Sequence, residues 1–269
     1  MKFFRHLIRP ALMCVIASFA LAASQAWADL TSAQAGALQA KAVLGDKAAM
    51  STLMTEARQG NAYAQLSLGV VYLQRRGVPQ DYGQAAQWYR KAAQQGNAAA
   101  QNNLAALYLE GRGVPQDYGQ AVQWYRQSAQ RGYAIAQNNL GMFYISGRGV
   151  AQDYGQGVQW LRKAAQQNDP GALGNLGALY ASGRGISMNK VAAYALFNLS
   201  AALDASSSNV FALRNRALCA RSMSPQEIAA GQALTRQMSR PGNLLRALDQ
   251  YLAHPAVKEN NRPAMGLET

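Results

Sequence analysis

The stretch Gly77-Val78-Pro79-Gln80-Asp81-Tyr82-Gly83-Gln84-Ala85 returns, letter for letter, as Gly113-Val114-Pro115-Gln116-Asp117-Tyr118-Gly119-Gln120-Ala121. The offset is 36 residues, and about two-thirds of all positions match across the two surrounding repeats. The period runs on through Gly149-Val150 with Asp153-Tyr154 and fades at Gly185-Ile186 with Asn189. Trp88, Trp124 and Trp160 keep the same spacing, with Leu196 as the fourth member, and so do Tyr72, Tyr108, Tyr144 and Tyr180. A fixed period of this length is the signature of a stacked array of supersecondary units.

Each unit reads as two helices. From Asn97 to Glu110, the residues Ala100, Leu104, Leu107 and Tyr108 fall on one stripe, the spacing of an amphipathic helix. Gly111-Arg112-Gly113 ends it, because glycine takes the left-handed conformation that closes a helix, and Pro115 stiffens the turn. Asp117 is placed to cap the second helix, with Gln120 three residues on to complete a capping box. Asp81 with Gln84 and Asp153 with Gln156 repeat the device. In the second helix Ala121, Trp124, Tyr125, Ser128 and Ala129 form the buried stripe, which makes Trp88, Trp124 and Trp160 core residues, and Gly132 ends the unit. One helix pair cannot bury both faces, whereas a stack shares a continuous core. The predicted class is all-α: a right-handed superhelical solenoid of stacked antiparallel helix pairs.

The pattern carried by Ala100, Leu104, Tyr108, Gly111, Gly113, Val114, Asp117, Ala121, Trp124 and Gly132 resembles the Sel1-like repeat (SLR), a relative of the tetratricopeptide repeat. Four units are expected, at 61–96, 97–132, 133–168 and 169–204. Flanking segments read as caps. Ala33 to Leu44 and Lys47 to Arg58 make a helix pair within 29–60, and Ser208 to Arg221 with Ser224 to Met238 make another within 205–253. Ser224-Pro225-Gln226-Glu227 opens its helix with a capping box and a first-turn proline. Leu244, Leu245, Leu248, Tyr251 and Leu252 predict one more short helix, and 254–269 reads as a tail.

Lys2, Arg5 and Arg9 precede an apolar run from Ala11 to Ala23, and Ala26-Trp27-Ala28 is a small-x-small cleavage pattern. This predicts a signal peptide over 1–28, cleaved after Ala28, and a periplasmic or secreted chain. The formal net charge is +13, and loss of the three leader cations would leave +10. Outside the cytoplasm such a charge favours acidic partner proteins or anionic envelope polymers over nucleic acid, for which there is no basic run or motif. No second apolar run is long enough for stable membrane insertion.

Little in the sequence supports chemistry. After the leader, His254 is the only histidine and Cys219 the only cysteine, too few for a zinc cluster or a histidine-activated nucleophile. Cys219 lies in an apolar helical context and reads as a core residue. Asp81, Asp117 and Asp153 are committed as caps. No catalytic residue, metal or cofactor is expected.

The partner surface is expected in the inner groove of the solenoid, lined mainly by the first helix of each unit. Asn103, Asn139 and Asn175 recur in register, with Ser67 as their counterpart in the first unit, and Asn102 and Asn138 beside them. These amides either contact an extended peptide or bond neighbouring repeats. Arg76, Arg112, Arg148 and Arg184 recur in the loop between helices and either meet an acidic ligand or hydrogen-bond the carbonyls ending the first helix. Arg90, Arg126 and Arg162 read as a solvated outer face. The resemblance implies a protein-binding scaffold or adaptor that assembles envelope complexes, modulates signalling receptors or contacts a host. It leaves two other readings open. One is a binder or hydrolase of cell-wall precursors or β-lactams, although family members linked to β-lactams carry cysteine pairs that this chain lacks. The other is a structural envelope protein held to anionic polymer by charge.

Overall fold

The computed structural model describes residues 30–74, 78–204, 210–254 and 257. The segment 1–28 expected to be a signal peptide, Arg76 and nearly all of the expected tail lie outside the described residues. Among the described residues there are thirteen α-helices and no strand. In chain order they are α1 (Ser32–Val43), α2 (Lys47–Arg58), α3 (Ala62–Leu73), α4 (Tyr82–Gln94), α5 (Ala98–Glu110), α6 (Tyr118–Gln130) and α7 (Ala134–Ser146). There follow α8 (Tyr154–Gln166), α9 (Pro170–Ser182), α10 (Lys190–Leu203), α11 (Val210–Ala220), α12 (Pro225–Met238) and α13 (Leu244–Ala253). They form two compact units, divided between Gln116 and Asp117.

In the first unit α1 packs on α2 and α3, α2 on α3, α3 on α4, and α4 on α5. Its core holds Leu53, Leu68, Val71 and Trp88 among the small residues Ala42, Ala49, Ala57 and Ala64. Burying each leucine stabilises the fold by about 1.5–3 kcal/mol, and the alanines let helix backbones approach. In the second unit Leu161, Leu173, Leu176, Leu196, Phe197, Leu234, Met238 and Leu248 form one cluster across α8, α9, α10, α12 and α13.

The packing explains the glycines of the repeat. Gly111 closes α5 at φ 68°, and its N–H bonds the Leu107 carbonyl. Gly113 has a different task. A Cβ there would fall on the Tyr82 carbonyl group, so the loop lies against the first turn of α4. Gly149 lies the same way on Tyr118 in the second unit, where a Cβ would stand 2.6 Å from the Tyr118 carbonyl oxygen.

Asp81, Asp117 and Asp153 cap α4, α6 and α8 as expected, each accepting the N–H three residues on at 2.9 Å. The reciprocal half of the box does not form. The Asp81 and Asp153 amides donate instead to the Tyr72 and Tyr144 carbonyls at 2.9 Å, which ties the second helix of a unit back to its first. The complete boxes are at Thr31–Gln34, which the sequence pattern did not single out, and at Ser224–Glu227, which it did.

Candidate interaction surface

Among the described residues no group of three or more His, Cys, Asp or Glu is placed to hold a metal ion. Cys219 is buried, and burial pushes its thiol pKa above the usual value. His254 is exposed at the end of α13. No helix is long and apolar enough to cross a membrane, again among the described residues.

The amides singled out by sequence are engaged within each unit. In the second, Asn175 Nδ2 on α9 donates to Asn138 Oδ1 on α7 at 2.8 Å, a bond between successive repeats. Asn138, Asn139 and Asn175 are all half-buried, and Asn139 also has a partner within the fold. In the first unit Ser67 is 3% exposed and Asn102 8% exposed, so neither side chain reaches a partner at the surface. Asn102 Nδ2 donates to Asn103 Oδ1 at 3.2 Å. Asn103 also acts on the Tyr89 hydroxyl, whose pKa burial pushes far above its ordinary value and this amide pulls back.

A second set of amides escaped the sequence reading. Gln65, Gln101 and Gln137 are buried, and each Nε2 donates to a carbonyl eight residues earlier, of Ala57, Ala93 and Ala129, at 3.0–3.1 Å. Gln95 and Gln167 then donate to Gln65 Oε1 at 2.7 Å and Gln137 Oε1 at 2.8 Å. The 36-residue recurrence of these glutamines was the available clue.

Arg112 and Arg148 do not hydrogen-bond the carbonyls that end the first helices. The carbonyls of Leu73, Leu109 and Ile145 are taken by Gln80, Gln116 and Gln152 Nε2 at 2.6–2.8 Å. Arg112 lies over the Tyr82 ring at 5.4 Å and pairs with Glu110 at 3.1 Å. Arg148 lies 4.5 Å from the Tyr118 ring and donates to its hydroxyl at 2.6 Å. Both remain exposed, because stacking on tyrosine leaves the guanidinium edge in solvent.

Arg90, Arg126 and Arg162 are not a solvated face. They are half-buried, and Arg90 and Arg126 donate to the Tyr108 and Tyr144 hydroxyls at 2.9 and 3.2 Å. Arg162 bonds Tyr180, the counterpart of those tyrosines, and in addition holds Asp249 of α13 through both carboxylate oxygens at 2.7 Å. The tryptophans also differ from expectation. Trp88 is core, but Trp124 and Trp160 are half-exposed beside the buried Tyr125 and Leu161.

One further feature lies on the solvent-exposed face of a first helix. On α7, Ile135 is 46% exposed and Met142 38% exposed, with Asn138 and Asn139 between them. The spacing i, i+3, i+4, i+7 puts all four on one face. Sequence reasoning passed over Ile135 and Met142 because it searched that arc for polar residues. Among the described residues, this face, two apolar side chains with amides between them, offers contact area and orientation but no acid, base or nucleophile.

Residues 62–97, 98–133, 134–169 and 170–204 each match the Sel1 repeat model. A Sel1 repeat protein of Oxalobacter formigenes is 28% identical, with a TM-score of 0.58 over 77% of this chain and 93% of that one. A protective antigen of uropathogenic Escherichia coli that displays an SLR fold is 27% identical, with a TM-score of 0.58 over 86% of this chain and 54% of that one. No curated protein matches the chain. Sel1 repeats generally mediate protein–protein interaction and form non-catalytic scaffolds. With four repeats covering more than half of its length, the chain belongs to the Sel1 repeat family.

Proposed function

We propose that the chain is a non-catalytic interaction scaffold of the bacterial cell envelope, exported by its N-terminal leader, that holds a protein or peptide partner against the outward face of α7. The observation that carries this reading is the exposure of Ile135 and Met142 beside the half-buried Asn138 and Asn139. Ile135 and Met142 offer apolar area that a partner would desolvate, and the two amides between them offer hydrogen bonds that would orient it. The Asn175–Asn138 bond fixes the amide geometry before a partner arrives, which lowers the ordering cost of binding.

The test is capture by cross-linking from periplasmic extract, comparing the parent chain with I135D/M142D and with the triple variant N103A/N139A/N175A. Circular dichroism first establishes that each variant keeps its helix content. A partner lost from I135D/M142D supports the α7 face. A partner kept by both variants places binding elsewhere.

A further inference from the structure

In the first unit a cleft of about 640 Å³ opens between α2, the loop after α3 and α4. Met54, Arg58, Tyr72, Gln84, Trp88 and Lys91 form much of its wall. The size lies within the range of ligand sites. Trp88 is 7% exposed, and its Nε1–H has no hydrogen-bond acceptor among the described residues. An unpaired buried donor of this kind costs about 1–3 kcal/mol, and the indole N–H can only donate.

The other polar groups of the wall divide unevenly. Asp81 supplies a carboxylate, but its Oδ1 already accepts the Gln84 N–H at 2.9 Å. Gln80 turns its Nε2 away to the Leu73 carbonyl at 2.6 Å. Among the described residues neither Arg58 nor Lys91 has a carboxylate partner; the Lys91 ammonium lies over the Trp88 ring, 4.3 Å from its centre. What the wall leaves unspent is three donors: the indole N–H, a guanidinium and an ammonium. Cations in the last turns of α2 and α4 also oppose the helix dipoles. That accounts for Arg58 and Lys91 alone; it explains neither the unpaired indole nor the open volume beside it.

We propose that this cleft binds a short acidic peptide segment of a partner, with a carboxylate received by Arg58 and Lys91 and a carbonyl oxygen by Trp88 Nε1–H. Trp88 Nε1 is out of solvent contact, so the carbonyl reaches it only as the Lys91 side chain leaves the ring face for the carboxylate and the indole turns towards the cleft. Met54 and Tyr72 supply the apolar side of the cleft. The site is independent of the α7 face and lies in the other unit, so failure of either leaves the other standing.

The experiment follows the indole signals of the ¹⁵N-labelled protein during titration with acetylated, amidated hexaglutamate, with W88F used to assign Trp88. The expected result is a saturable shift of the Trp88 indole signal that exceeds those of Trp124 and Trp160. R58Q/K91Q, at two exposed positions, should weaken the apparent affinity at least about tenfold, since each removes a charge-assisted contact. Hexaglutamine should leave the signal in place. No shift, equal shifts at all the indoles, an equal response to hexaglutamine, or unchanged affinity in the double variant would each overturn the proposal.

Discussion

Arg90, Arg126 and Arg162 occupy one position of the 36-residue frame, and each bonds the tyrosine of the next repeat. Arg162 alone adds a carboxylate, gripping Asp249 and so fastening α13 to α8. Arg162 is the less exposed of the pair and Asp249 is about half-exposed, so solvent screens the attraction. R162A should cost about 1 kcal/mol and should speed amide exchange in α13 more than elsewhere. Unchanged exchange in α13 would show that its apolar contacts hold it without the ion pair. Glu227 behaves differently because its work is local. Hydrogen bonds from Ser224, first of all its backbone N–H, hold the Glu227 carboxyl below the usual carboxylate range. A depressed folded-state pKa means stability that is present above the unfolded value and lost as pH falls through the folded one. The gap in urea midpoint between the parent and E227Q should therefore be largest near neutrality and close as pH falls below about 4. A constant gap across that range would contradict the assignment. The sequence showed which arginines and glutamines recur but not where they point. A direction depends on the neighbouring turn, and the added partner of Arg162, Asp249, lies 87 residues away.

At the scale of elements, the period and the caps were legible almost to the residue. The predicted Lys47–Arg58 helix is found with those bounds, and α5 begins one residue inside the predicted span. What periodicity could not give was the interior spacing of helix pairs, which small residues set. A Cβ on Gly141 of α7 would stand 2.9 Å from Leu161 Cγ and 3.0 Å from the Gly157 carbonyl oxygen of α8. The carbonyl cannot retreat unless α8 moves with it, so G141A should destabilise by about 1–3 kcal/mol. Gly36 of α1 offers the opposite case, since a methyl group added there would meet nothing within 4 Å and the backbone φ is helical. There the same substitution should stabilise by about 0.5–1 kcal/mol, the ordinary helix preference for alanine. Urea midpoints for the two variants should move in opposite directions. Movement in the same direction would show that the α7–α8 contact is looser than its geometry. The candidate surface was legible only in part. Asn138 and Asn139 were found through their recurrence, but Ile135 and Met142 break the repeat pattern, and a search built on recurrence passes over what departs from it.

For the whole molecule, 26 basic residues face 13 acidic ones. The acids are largely occupied: Asp46, Asp81, Asp117, Asp153 and Asp169 cap helices, Glu227 completes a box, and Glu110 and Asp249 pair with arginine. For the acidic segment proposed above, association should weaken as ionic strength rises. The central claim, that a partner is held on the outward face of α7, is tested most directly by site-specific photocrosslinking in the living cell. A photoreactive residue would be placed singly at Ile135, at Met142 and, as a control on the exposed side of α8, at Gln159. The account predicts one discrete cross-linked species from Ile135 and Met142 and none from Gln159. The same species from all three positions, or from Gln159 alone, would contradict it.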